Sequence, residues 1–212
     1  MDNISVIIRN RNEERYIGYA IQSVLDTFKK PEIIVVDNNS TDNSMGIVNT
    51  FDFENIKTYS IDSYTPGKSL NYGVTKCSND YILILSAHSQ IMNCEFGKIK
   101  GLLDEYCVVG GKQIPVWNGK KISRRYVWSN FIDKDGTNLF SNNENRYFLH
   151  NAFAFYKKET LIKYPFDENL STKEDRYWIN KRIEEGMKSY YTSDIICHHH
   201  YTDNGATWKG IG

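Results

Sequence analysis

Tyr81-Ile82-Leu83-Ile84-Leu85-Ser86-Ala87-His88-Ser89 is an apolar run that stops abruptly in small polar residues and a histidine. Consecutive large apolar side chains before a polar break read as a strand buried on both faces, the kind found in parallel sheets. An open α/β sheet binds ligands just beyond the carboxyl ends of its strands, so His88 is delivered to a place where a site is expected.

The same punctuation recurs earlier in the chain. Ile4 to Ile8 is a β-branched strand, followed by a polar loop from Arg9 to Asn12. From Glu13 the residues Ile17, Ala20, Ile21, Val24, Leu25 and Phe28 recur at helical spacing, which predicts a helix capped by Asn12 with acidic residues in its first turn. Pro31 closes that unit. Ile33 to Val36 forms a second strand ending at Asp37 and the loop Asn38 to Asp42, before a helix with Met45, Val48 and Phe51 inward. A strand from Ile56 to Ile61, a Pro66-Gly67 turn and a helix from Ser69 to Cys77 complete the alternation. The pattern predicts an α/β fold with a doubly wound, mostly parallel sheet and helices on both faces.

After residue 106 the rhythm is irregular. Val108 to Gly111 and Ile114 to Trp117 read as short strands, and 119–146 as a long loop-rich insertion of the kind that is usually functional or mobile. Asn151 to Tyr156 reads as a strand. Glu174 to Glu185 reads as a helix with Trp178, Ile179 and Ile183 inward and Gly186 as its stop, and Ser189 to Cys197 as an extended run leading into His198-His199-His200. The 212 residues suit a single domain with a sizeable core.

With 26 basic and 26 acidic residues the chain has no bulk field that points to nucleic acid. Cys77, Cys94, Cys107 and Cys197 form no C-x-x-C pair, the opening residues show no signal-peptide pattern, and no run reaches the roughly 20 apolar residues of a membrane span. These features predict a reducing, cytoplasmic setting. Aromatic residues gather after Tyr106, near Lys120, Lys121, Arg124 and Arg125. That segment is either an aromatic core beside a solvated basic loop, or a surface for carbohydrate or lipid headgroups.

No G-x-x-x-x-G-K-[ST] is present and no G-x-G-x-x-G follows the first strand, which disfavours a P-loop NTPase and an ordinary dinucleotide dehydrogenase. What stands at the strand ends instead is Ile4-Ser5-Val6-Ile7-Ile8-Arg9-Asn10-Arg11-Asn12-Glu13-Glu14, Ile34-Val35-Val36-Asp37-Asn38-Asn39-Ser40-Thr41-Asp42 and Gly67-Lys68-Ser69-Leu70-Asn71-Tyr72-Gly73. With Leu85-Ser86-Ala87-His88, Lys173-Glu174-Asp175 and His198 to His200, these resemble the family 2 glycosyltransferases in order and spacing, over most of the chain. The resemblance implies one inverting GT-A domain over 1–212. Residues 1–106 would bind the nucleotide sugar, and 107–212 would bind the acceptor and supply the base.

By this resemblance Asp37 accepts a hydrogen bond from the nucleotide base, a role that suits an acceptor-only carboxylate. Arg9, Asn10, Glu13, Asn39, Lys68, Asn71, Ser86, Ala87 and His88 line the rest of the nucleotide-sugar pocket, with Lys68 near phosphate. The family usually carries Asp-x-Asp where this chain has Ser86-Ala87-His88, and those acids bind the Mg²⁺ or Mn²⁺ that bridges the donor diphosphate. Magnesium prefers oxygen ligands and imidazole suits manganese and softer ions better, so two readings stay open. His88 ligates a metal together with His198 or His200, or His88 contacts the diphosphate directly. A zinc site at Cys197 has no second ligand pair at zinc-like spacing.

Asp175 matches the general base that takes the acceptor's hydroxyl proton, with Glu174 beside it. Trp117, Trp128, Asn151 and Glu174 fall where the acceptor would be lined. Along an extended strand side chains alternate, so His198 and His200 face one way and His199 the other. The resemblance implies a nucleoside-diphosphate sugar donor, a glycan or lipid-linked acceptor and bacterial surface polysaccharide synthesis at the inner membrane face; peripheral membrane contact and a homodimer are both compatible with it. The rival readings are a noncatalytic sugar-nucleotide-binding subunit, motivated by the missing Asp-x-Asp, and a sugar nucleotidyltransferase.

Overall fold

The computed structural model describes residues 2–121 and 129–203; Arg124, Arg125, Trp128 and the Trp208-Lys209-Gly210 end fall outside them. The alternation holds through the first half: β1 (Ile4–Asn10), α1 (Ile17–Thr27), β2 (Glu32–Asp37), α2 (Ser44–Val48), β3 (Ile56–Ser60), α3 (Pro66–Lys76) and β4 (Tyr81–Ser86). β1 lies between β2 and β4, with β3 outside β2, and all these pairings are parallel. Asn10, Asp37 and Ser86 therefore emerge at one edge of the sheet.

A turn at Ala87 and His88 leads into β5 (Ser89–Asn93) and α4 (Phe96–Leu103), two elements the sequence pattern does not announce. β6 (Val108–Trp117) is one ten-residue strand where two short ones are expected. Gly111 does not interrupt it, because it makes room for a neighbour: a Cβ there would meet the Phe153 ring at 2.4 Å. The insertion contains β7 (Lys120–Lys121), a 3-10 turn (Ser129–Phe131), β8 (Gly136–Thr137), β9 (Phe140–Ser141) and β10 (Arg146–Tyr147). β11 (Phe153–Lys157), α5 (Lys158–Lys163), α6 (Glu174–Glu184) and β12 (Ser189–His200) follow.

One sheet joins both halves in the order β3-β2-β1-β4-β11-β6-β12-β5. β11 is antiparallel to both β4 and β6, whereas β12 runs parallel to β6 and antiparallel to β5. Ile17, Ile21, Val24, Ile99 and Leu103 pack on one face against Ile8, Val35 and Leu83. Leu70, Leu161, Trp178 and Ile179 pack on the other against Ile7, Ile34 and Ile84. Each fully buried Ile or Leu contributes about 1.5–3 kcal/mol, so the two layers fix the sheet on which the strand-end loops stand.

Two helix starts differ from expectation. α1 begins at Ile17 and has no acidic residue in its first turn. Asn12 adopts φ 53°, and its Oδ1 accepts the Thr41 N–H at 2.7 Å, so it joins two loops instead of capping the helix. α3 begins at Pro66, so Pro66-Gly67 is its first turn. Proline's missing N–H costs nothing there, and Thr65 Oγ1 caps the helix by accepting the Lys68 N–H at 3.1 Å. All four cysteines are free, and among the described residues no helix is long and apolar enough to cross a membrane.

Candidate active site

The ends of β1 and β2 build an acidic cup. Asp37 is buried, and its carboxylate accepts from Asn10 Nδ2 at 2.8 Å, the Ser40 hydroxyl at 2.6 Å and the Ser40 N–H at 3.0 Å. Asn39, at φ 50°, donates through Nδ2 to the Ile61 carbonyl at 3.3 Å. Lys68 is exposed and donates to the Ser63 hydroxyl. Asn71 is occupied elsewhere: its Nδ2 donates to the Phe166 carbonyl and to Glu168 Oε1, both at 2.9 Å, and its Oδ1 accepts the Phe166 N–H at 3.0 Å. It brackets α3 to the segment before α6.

His88 sits in the turn between β4 and β5, with its side chain 12% exposed. Its Nδ1 lies 3.0 Å from Glu13 Oε1, its Nε2 lies 3.0 Å from His199 Nε2, and Ser86 Oγ stands 3.2–3.3 Å from both ring nitrogens. The His199 ring, wholly buried, continues through Nδ1 to Gln113 Oε1 at 2.7 Å. Gln113 Nε2 in turn meets His150 Nδ1 at 3.2 Å. The backbone closes the turn, because the His200 N–H donates to the His88 carbonyl at 2.9 Å.

This corrects the pairing expected for the histidine run. His199 meets His88, while the His200 ring stacks on Tyr16 at 4.8 Å and lies 6.1 Å from the His198 ring. Burial lowers the pKa of His198, with Lys121 adding to it, and pushes that of His200 down to about 4, with His198 and His88 adding to it. Sequence reasoning missed His199, Gln113 and His150; a glutamine inside the β6 pattern was the available signal.

The donor set at this turn fits a hard, oxygen-seeking ion poorly. Ser86 offers a hydroxyl and His88 an imidazole, and the carboxylate nearby, Glu13, is on the far side of the His88 ring from His199. An ion bound to both imidazoles would have to displace the proton between them.

The second acidic cluster opens α6. Burial raises the Glu174 carboxyl, Arg9 opposes that, and Asp175 adds to it. Glu174 Oε1 accepts from Arg9 at 3.2 Å and from Asn151 Nδ2 at 3.4 Å. For Asp175 burial works upward too, but His150, Arg146 and the N–H groups of Asn151 (3.2 Å) and Arg176 (2.8 Å) prevail and hold it below the usual carboxylate range. Asp175 is therefore ionised at neutral pH, as a general base must be. Burial pushes His150 down to about 4 against the pull of Asp175. Asn151 holds both acids and accepts from the Tyr156 hydroxyl at 2.6 Å, whereas Trp117 stands 54% exposed at the end of β6.

Comparisons with known proteins give the family and the fold. The model of the family described as Glycosyl transferase family 2 matches residues 5–164. The chain is 25% identical over 197 residues to the GalNAc(5)-diNAcBac-PP-undecaprenol beta-1,3-glucosyltransferase of Campylobacter jejuni, covering 90% of this chain and 62% of that one. It is 26% identical over 194 residues to the minor teichoic acid biosynthesis protein GgaA of Bacillus subtilis, covering 84% and 43%. The crystal structure of S. aureus TarS 1-349 in complex with UDP-GlcNAc superposes with TM-score 0.72 at 21% identity, over 98% of this chain and 61% of that one, a likeness of fold. The chain thus spans less than two thirds of each of these relatives. A mixed α/β sheet with its polar loops at the strand ends, together with a family match over more than half of its length, establishes that the chain belongs to glycosyl transferase family 2 and has the GT-A fold.

Proposed function

We propose that this chain carries an inverting glycosyltransferase activity that moves a sugar from a nucleoside-diphosphate donor to a hydroxyl of a glycan or lipid-linked acceptor. The observation that carries the reading is the buried Asp175, held at the start of α6 by the Asn151 and Arg176 N–H groups and flanked by Glu174, which Arg9 ties to the end of β1. In a single displacement Asp175 takes the acceptor's proton as its oxygen attacks the anomeric carbon, and the nucleoside diphosphate leaves from the opposite face. Asp37 and its Asn10-Ser40 bracket suit the base of the donor, and the His88 turn faces the leaving diphosphate.

The undecaprenol-linked and teichoic-acid relatives support a role in bacterial surface polymer synthesis. The exposed Trp117, Lys120 and Lys121 at the β6–β7 connection suit peripheral contact with an anionic membrane face.

The test is a thermal-shift screen against UDP-, GDP-, CDP- and dTDP-sugars in EDTA, Mg²⁺ or Mn²⁺, followed by transfer of the best donor's labelled sugar to undecaprenyl-diphosphate-linked oligosaccharide. Binding with transfer that Asp175→Asn abolishes supports the reading. Binding without transfer to any glycan or lipid-linked acceptor favours a noncatalytic subunit, and pyrophosphate release from a nucleoside triphosphate favours a nucleotidyltransferase.

A further inference from the structure

Glu13, His88, His199 and Gln113 form a continuous polar chain along which protons can be counted. It begins on a carboxylate, an acceptor when ionised, and ends on an amide oxygen, also an acceptor. Along this chain three contacts link the two imidazoles to each other and to its ends: 3.0 Å to Glu13, 3.0 Å between the rings and 2.7 Å to Gln113, with the Ser86 hydroxyl beside His88 as well. Each contact needs one proton, so three are needed, while two neutral imidazoles supply two. An ionised carboxylate only accepts, so in this count the third proton belongs to the rings.

The direction of Gln113 sets this count. Its Nε2 faces His150 Nδ1 at 3.2 Å, which leaves Oε1 for His199. Burial holds His150 neutral, and in the tautomer that carries its proton on Nε2 its Nδ1 accepts from that amide. A second observation is independent of the count. Glu13 is buried, its Oε2 has no hydrogen-bond partner among the described residues, and its ion-pair partner among them is His88. A buried carboxylate needs a counter-charge, and a neutral His88 would not provide one. Other groups among the described residues that face the two rings include Ser86 from β4, the Phe131 edge, His150 before β11, and His200 of β12 across the His88 backbone.

We infer that Glu13, His88, His199 and Gln113 hold one positive charge shared by the two imidazoles, and that this charge meets the donor's diphosphate at the turn where the family pattern has Asp-x-Asp. The second half rests on the donor reading above. His88 is the residue at the pocket, and His199 and Gln113 are positioning residues: the buried ring fixes where the His88 imidazole lies, and the carboxamide fixes how many protons the pair carries. Because the charge is built into the chain, donor binding does not require a divalent ion.

The charge is tested without any ligand. In ¹⁵N-histidine NMR of the unliganded protein at neutral pH, the coupled pair should show the imidazolium pattern, with no pyridine-like nitrogen in one ring. Gln113→Glu, which retains an acceptor, should keep that pattern, and Gln113→Leu should lose it; a purely structural role would make the two variants alike. UDP and GDP are then titrated in EDTA. One of them should bind, about tenfold more weakly to Gln113→Leu and near wild-type strength to Gln113→Glu. Two neutral rings in the wild type, as a reversed Gln113 carboxamide would give, overturn the inference and need no variant that folds. Nucleotide binding that requires Mg²⁺ or Mn²⁺ overturns the claim that the charge serves the diphosphate. An imidazolium pattern with no binding of either nucleotide supports the charge and refutes the donor reading.

Discussion

Arg9, near the end of β1, and Glu174, the first residue of α6, are joined by a 3.2 Å ion pair across 165 positions of sequence. The contact ties the strand-end cup to the helix that carries Asp175, so the two halves of the site share one polar seam. Glu174 is nearly buried, and its burial outweighs Arg9 enough to keep its carboxyl raised.

Arg9→Gln leaves that carboxylate without its counter-charge and is expected to cost about 3 kcal/mol near pH 8. The sign follows from linkage. A carboxyl whose folded pKa lies above its unfolded value contributes stability at low pH that is lost as pH rises through the folded pKa. Removing Arg9 raises that pKa further, so the loss should be smaller at pH 5 than at pH 8. Urea unfolding at the two pH values reads this out, and Arg9→Gln with Glu174→Gln should recover part of it.

Asp175→Asn should lower kcat by 10²–10⁴-fold or more while leaving donor affinity within a few-fold, because base catalysis acts in the transition state and not on the donor alone. The wild-type carboxyl is held low, so its acid limb in kcat/KM should lie below the ordinary aspartate value of about 3.9. Arg146→Gln removes one of the groups that hold it there and should move that limb upward.

Gly67→Ala is expected to destabilise by about 1–3 kcal/mol, as overpacking does. A Cβ at Gly67 would meet the Asp167 carbonyl oxygen at 2.3 Å, and backbone cannot yield as a flexible side chain can. Thermal unfolding measures the cost. Gly97→Ala, where a Cβ meets nothing within 4 Å, is the control and should be neutral or slightly stabilising.

Acid should weaken the fold through His150. Its folded pKa of about 4 lies below the unfolded value of about 6.5, so between those values the unfolded chain binds more protons and stability falls as pH drops. His150→Gln should flatten the stability profile in that window, measured by denaturant midpoints from pH 4 to 7.

The parallel block was legible because its residues obey one rule locally: Ile4 to Ile8, Ile33 to Val36 and Tyr81 to Leu85 are apolar runs ended by polar loops, and they pair in register as that pattern requires. Glu174 and Asp175 were legible as a pair at a helix start. The engagement of Asn71 was not legible, because its partners, Phe166 and Glu168, lie 95 and 97 residues away and no local pattern encodes them. Pro66-Gly67 looks like a turn in the sequence because a helix-starting proline and a close backbone approach leave the same two letters as a turn does. The first turn of α1 was overextended because Glu13 looks like a helix acid, yet its side chain is committed to His88.

His199 reaches His88 by a matter of parity. Along β12 the chain takes four steps from Thr192 to Ile196 while β6 takes one, from Gly111 to Lys112, an odd excess. An odd excess exchanges the sides of every later residue relative to β6, which puts Cys197 and His199 level with Gln113 and Pro115. The extra residues are pinned by Asp135, which accepts from the Thr192 and Ser193 hydroxyls and the Ser193 N–H at 2.6–2.8 Å. Three identical side chains in a row are thus sorted by a clasp outside the pocket, and deleting one residue of that clasp would rotate a different histidine into the chemistry.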